Sequence, residues 1–234
     1  MSIISKTKWH SLNYKRYLQF LNILYKKAKK IFSCFSIIAM NINTVNQTNF
    51  NANFIRNVNI KKFDAKTQTY KPCKASFVEF DPENSEDLVA LLDTRKNWIG
   101  GIYTGNIVEH ASYMREKYIS PLINHIYILT TQNDNFKCLD SEKILGMADM
   151  QSDSVEPDEL RYLEVKPTQK YGFKNRTYRL VGSKILSELK KIYNEKITLL
   201  ASYSAANFYE KHGFDVTDSM LLEYTWINKR LKKK

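Results

Sequence analysis

The chain has 234 residues, a mass of 27.5 kDa and a formal net charge of +12. Its hydrophobic share of 43% is enough for a sizeable core, which excludes wholesale disorder. No uninterrupted apolar stretch reaches the roughly 18 residues that a membrane-spanning helix needs.

Cys34, Cys73 and Cys138 form no CxxC pair and are too few and scattered for a disulfide framework, so a reducing, cytoplasmic compartment is expected. His10, His110, His125 and His212 lack metal-ligand spacing, so no metal is expected. The charge is unevenly placed. Residues 1–63 hold eleven Lys/Arg and no acid, and 229–234 (KRLKKK) hold five more positives. The span 64–228 carries 20 Lys/Arg against 24 Asp/Glu. The basic character belongs to the two ends, and a nucleic-acid partner is not expected of a mildly acidic body.

In residues 1–40, Tyr14, Tyr17, Leu18, Leu21, Leu24, Tyr25, Ala28, Ile31, Phe32 and Phe35 recur at three- and four-residue steps. That is the stripe of an amphipathic helix, and Lys15, Arg16, Lys26, Lys27, Lys29 and Lys30 lie mostly off it. Such a basic helical extension fits peripheral contact with an anionic membrane surface. It fits equally well a helix packed on the body or on a partner. A signal peptide with Ile31–Met40 as its apolar core is a third reading, with a long lead and a poor cleavage-site pattern. Translation from Met40 is a fourth. Residues 41–63 are rich in asparagine and read as a linker.

The body is expected over 64–228, with a basic tail at 229–234. Ala75–Phe80 reads as a strand, and Asn84 or Ser85 caps a helix through Leu88, Leu91 and Leu92 that ends near Trp98-Ile-Gly-Gly. A second helix is predicted at about 105–117 and a strand at His125–Thr130. Lys143–Gln151 and Glu159–Val165, separated by the polar SDSVEPD, read as an antiparallel hairpin. A helix, the strand Ile197–Ala201, a short helix and a strand around Met220–Trp226 complete the chain. The fold class is α/β with a mixed sheet, and a β-helix-β unit lies at 159–201.

The sharpest local signal lies between Val165 and Glu188. It holds Lys166, Lys170, Lys174, Arg176, Arg179 and Lys184 ahead of any acid. It follows a strand and opens a helix whose apolar face is Val181, Ile185, Leu186, Leu189, Ile192 and Tyr193. Gly182 sits in the first turn, where a missing side chain lets a ligand approach the backbone. The first amides of a helix have no internal partner and lie at the positive end of its dipole. A strand, a basic glycine-containing turn and a helix together build a phosphate site. Neither GxxxxGK[ST] nor GxGxxG is present, so a nucleotide-triphosphate loop and a dinucleotide fold are not supported. A solvated basic loop before an ordinary helix is the other reading of the turn alone.

The stretch ASYSAANFYEKHGF at 201–214, with LEVKP at 163–167 and YRLVGSKIL at 178–186, resembles the GNAT superfamily of N-acetyltransferases. Val165 and Pro167 match the family's V-x-P strand end, and Gly182 matches the last glycine of R/Q-x-x-G-x-G/A. Ala205, Phe208, Tyr209, Glu210, Lys211, Gly213 and Phe214 match N-x-x-A-x-x-F-Y-E-K-x-G-F. KILGMAD at 143–149 looks like the strand before the hairpin turn. The likeness covers about 75–226. The chain departs at Leu180 (usually Gly), Thr177 (usually Arg or Gln) and Ser202 (usually Asn), and its turn is several residues longer.

The resemblance implies acetyl transfer from acetyl-CoA to a primary amine by direct attack, in a monomer or homodimer. Val165, Arg176, Arg179, Leu180, Val181, Gly182, Ser183, Lys184, Ser202, Ala205 and Phe208 are expected at the coenzyme, with the pantetheine arm in a splay between strands 159–165 and 197–201. A backbone amide near Met150 or Val165 is expected to polarise the carbonyl. Tyr209 stands where the family places the acid that protonates the leaving thiolate. Phe208 and Tyr209 point about 100° apart on a helix and cannot share one face. Glu164 and Asp149 are the candidate bases for the amine, with solvent-facing acids as the alternative. Tyr162 and Tyr203 are candidates for the acceptor pocket. A catalytically weak CoA-binding or interaction module on the same fold is the runner-up.

Overall fold

The computed structural model describes residues 52–116, 123–152, 157–167 and 176–229, all within the compact unit Asn49–Lys234. The expected helical extension at 1–40 and most of the tail at 229–234 lie outside the described residues. One nine-stranded mixed sheet organises the body. Its strands are β1 (Asn53–Asp64), β2 (Thr69–Glu79), β3 (Ile123–Thr130), β4 (Ile144–Ser152), β5 (Asp158–Val165), β6 (Tyr178–Arg179), β7 (Lys196–Leu200), β8 (Asp215–Asp218) and β9 (Glu223–Ile227), in the spatial order β6-β1-β2-β3-β4-β5-β7-β9-β8. The helices are α1 (Ser85–Asn97), α2 (Thr104–Arg115), α3 (Val181–Ile192) and α4 (Ala206–Lys211).

The residues 53–63, read above as linker, form β1 instead, paired antiparallel with β2 from Asn53↔Glu79 to Asp64↔Thr69. Asparagine is poor in strands by composition, yet here it alternates with apolar side chains. Val58 and Ile60 are buried, and Asn57 before them and Asn59 between them are exposed. That period of two decides the conformation. The last predicted strand, around Met220–Trp226, is β9 from Glu223 onward; Met220–Leu222 form the turn from β8, a strand the sequence reading did not include, with Leu222 at φ 52°.

The sheet is covered on both faces. On one, α3 lays Ile185, Leu186 and Leu189 on Val58, Ile60, Leu145 and Ala148, with Tyr209 and Phe214 in the same cluster. Complete burial of Ile185 and Leu186 contributes about 1.5–3 kcal/mol each. Gly146 lets α3 sit this close: a Cβ there would meet Ile185 Cδ1 and Val181 Cγ1 at 2.8 Å. On the other face, α1 and α2 bury Leu91, Ile107, Val108 and Ala111 on Ile126, Ile128 and Met147. Asn84 is the cap of α1, its side chain accepting from Glu86 N at 3.0 Å. Among the described residues no helix is long and apolar enough to cross a membrane.

Candidate active site

Strands β5 and β7 are parallel but pair only at Asp158↔Ile197 and Glu159↔Thr198. β5 nevertheless continues to Val165 and β7 to Leu200. A bulge bends β5 near Arg161, because Asp149 faces Tyr162 while the next residue, Met150, faces Leu160. Past that point the two strands diverge. A cleft of about 1020 Å³ opens there, at the C-terminal ends of both strands.

One wall is the start of α3. Leu180 precedes the helix in the left-handed conformation, φ 68° and ψ 9°, at the position where the resembled family has glycine. A left-handed non-glycine residue costs about 1–2 kcal/mol. The first helical bond runs from Lys184 N to Leu180 O at 2.9 Å, so the amides of Val181, Gly182 and Ser183 have no acceptor within the helix. All three residues line the cleft. A Cβ on Gly182 would lie 3.3 Å from Phe208 Cζ and 3.6 Å from Val165 Cγ1, so glycine lets Phe208 and Val165 pack close to the helix start.

The turn is anchored by the β1–β2 hairpin. Phe63 N donates to Thr177 O at 2.8 Å, Tyr70 Oη donates to Arg176 O at 2.6 Å, and Lys61 and Lys62 pair with Arg179 and Tyr178. The Arg179 guanidinium stacks 3.9 Å over the Tyr70 ring. Arg176 and Arg179 line the cleft. Lys184, one turn into α3, does not.

The opposite wall is the β7–α4 connection and α4 itself, from which Ser202, Ala205, Phe208 and Tyr209 line the cleft; contrary to the expectation from their offset of about 100°, Phe208 and Tyr209 both border it. Tyr209 is buried, its ring against Phe208 at 5.2 Å and Phe214 at 5.7 Å. Burial pushes its hydroxyl well above the ordinary tyrosine range, and Tyr103 adds to the effect. The hydroxyl therefore carries its proton at neutral pH.

The candidate acids separate. Glu164 lines the cleft and accepts from Tyr103 N at 2.5 Å. Asp149 does not line it. It lies three residues back from the Gly146↔Val165 pair, about 10 Å along the strand. Asp149 is fully buried and bonded to His110 Nδ1. Burial raises the Asp149 carboxyl, and the bond to Asp149 raises His110. Met150 is sealed in the sheet and is not at the cleft, whereas Val165 is. Tyr203 is 87% exposed. Tyr162 stacks on Tyr103 with centroids 5.4 Å apart.

Ile102 and Tyr103, in the loop between α1 and α2, complete the cleft. Sequence reasoning missed both. The loop was legible from Gly100 and Gly101, but nothing in its composition marks one aromatic residue as cleft-lining.

A sheet crossed by a single parallel pair, β5–β7, that parts over a helix start is the arrangement the resemblance implied. The fold is of the GNAT type. Among solved structures, AtaT in complex with acetyl-methionyl-tRNAfMet shares 12% identity at a TM-score of 0.45, covering 68% of this chain and 98% of its own. A GNAT-family acetyltransferase from Streptococcus pneumoniae shares 17% at 0.38, covering 66% and 98%. A predicted acetyltransferase from Clostridium acetobutylicum, solved with acetyl-CoA, shares 14% at 0.39, covering 68% and 98%. No family model matches the sequence, and no curated protein matches it.

Proposed function

We propose that the protein is an N-acetyltransferase that moves an acetyl group from acetyl-CoA to a primary amine in a ternary complex. The observation that carries this reading is the gap between β5 and β7, with three amides that have no acceptor in their own helix at one wall and Tyr209 at the other. Acetyl-CoA fits the residues present. The amides of Val181, Gly182 and Ser183 suit a diphosphate, Arg176 and Arg179 supply positive charge beside them, and Gly182 leaves room that a Cβ would take from Phe208.

Acetyl-CoA supplies the activated acyl group. Glu164 takes a proton from the incoming ammonium, freeing its lone pair. The nitrogen bonds to the acetyl carbon, the carbon–sulfur bond breaks, and the acylated nitrogen sheds its remaining surplus proton, which restores the Tyr209 hydroxyl after that group has protonated the sulfur. Tyr209 hands its proton to the leaving thiolate, whose conjugate thiol has a pKa of about 8.5. The backbone amide of Val165 is the donor assigned to the carbonyl oxygen.

Thiol release from acetyl-CoA with a panel of amines tests the reading. Saturable coenzyme binding without release for any amine favours a CoA-binding module instead. Leu180 and Thr177 in the turn are the observations behind that second reading.

The reading carries a cytoplasmic location, a monomer or homodimer, and peripheral membrane contact through residues 1–40. Flotation of the full chain with anionic vesicles, lost on removal of 1–40, checks that contact; no flotation of the full chain ends it.

A further inference from the structure

Two carboxylates line the cleft, and they differ in how they are compensated. Glu142 has Lys166 Nζ at 3.9 Å and a bond from Asn97 Nδ2 at 2.8 Å. Glu164 is partly buried and has no cation within ion-pair distance among the described residues; its one contact is the Tyr103 amide on Oε2. A carboxylate on a cleft wall without a neighbouring cation attracts one arriving from outside.

Beside Glu164 stands a prebuilt apolar wall. Tyr103 faces the cleft and is stacked on Tyr162 at 5.4 Å. Tyr162 is held in turn by Asn106 Nδ2 on its hydroxyl at 3.3 Å and by the His110 ring at 5.7 Å. His110 is pinned by the buried Asp149. The Tyr103 ring therefore sits on a rigid support, so little ordering is lost when a ligand covers it. Ile102, next to it at the mouth, is 75% exposed, and Ile99 in the same loop is 80% exposed. Large apolar side chains left in water at a cleft mouth mark a contact surface.

We infer that the acceptor is a primary ammonium on an aromatic or apolar frame that bears no carboxylate, with its cation at Glu164 and its frame against Tyr103 and Ile102. The inference rests on the acetyltransferase reading and narrows its substrate. An amino acid would bring its own carboxylate up to Glu164 and be repelled. A polyamine would bring a second cation against the apolar Ile102 side chain.

The test measures thiol release with phenethylamine, phenylalanine and spermidine, alongside calorimetric binding of acetyl-CoA. Phenethylamine is expected to exceed the other two in kcat/KM by about tenfold or more, the size of a single contact's discrimination. Tyr103→Ala is expected to raise the KM for phenethylamine about tenfold without changing acetyl-CoA affinity. Tyr103→Phe, which retains the ring, is expected to raise that KM far less than Tyr103→Ala does. The Glu164 contact is to the backbone amide, so both variants preserve it. Equal or better turnover of phenylalanine or spermidine, or an unchanged KM in Tyr103→Ala, overturns the substrate class while acetyl transfer stands. Absence of acetyl-CoA binding, or of thiol release with every amine, overturns both.

Discussion

The two sides of the cleft are built from different materials. The α3 side offers backbone: three amides, a glycine and a left-handed residue, stitched to β1 and β2. The α1–α2 side offers side chains: Glu164, Tyr103 and Ile102. A backbone site tolerates substitution, since Leu180 and Thr177 stand where the resembled family has other residues and the amides are still presented. A side-chain site does not, and the proposed acceptor selectivity rests on it.

The contrast breaks most visibly at the residues proposed to transfer protons. Tyr209→Phe is expected to lower kcat about 100-fold with acetyl-CoA affinity unchanged in calorimetry. Unchanged kcat removes Tyr209 from the chemistry. Glu164→Gln keeps an acceptor for the Tyr103 amide, so the fold should hold while kcat/KM at neutral pH falls by about the same factor; full activity would show that the amine is deprotonated elsewhere.

On the backbone side, Gly182→Val should weaken acetyl-CoA binding about tenfold or more, because the added methyls must enter the 3.3 Å space in front of Phe208. Native affinity would mean that the coenzyme does not use this wall. Leu180→Gly should raise the urea midpoint, a stabilisation of about 1 kcal/mol from relief of the left-handed leucine; a fall would mean that leucine packing outweighs the strain.

The smallest effect concerns a buried acid far from the cleft. Asp87 is completely buried, and burial raises its carboxyl to about 7. The folded state thus keeps this proton above the pH at which the unfolded chain, with a pKa of about 3.9, has lost it. Stability from this group is greatest at low pH and declines as pH rises from about 4 to about 7. Asp149, also raised by burial, acts in the same direction. Asp87→Asn should flatten part of the decline in urea midpoints across that window, and an identical slope would refute it.

Most of the sheet and all four helices were legible, because burial imposes periods that sequence displays. α3 is the clearest case, with its apolar face at three- and four-residue steps. The 53–63 segment was misjudged because its composition was weighed over its alternation. Within the candidate site, the turn and the Tyr209 helix could be read, since local chain geometry creates them. Tyr103 could not. Its position depends on how α2 rests against β5, a contact between residues some sixty apart in the chain. Asp149 illustrates the converse: its strand was assigned correctly, but its depth along the strand and its pairing with His110 follow from the packing of α2.

The tie between the first hairpin and the turn bears on where the domain may safely be trimmed. Ala52 is buried and donates its amide to Phe136 O at 3.1 Å. A version starting at residue 64, as charge and composition alone would suggest, would lack the strand that flanks Tyr178 and Arg179. Such a shortened protein would present the proposed diphosphate site unsupported, and inactivity in it would say nothing about the chemistry of the intact chain.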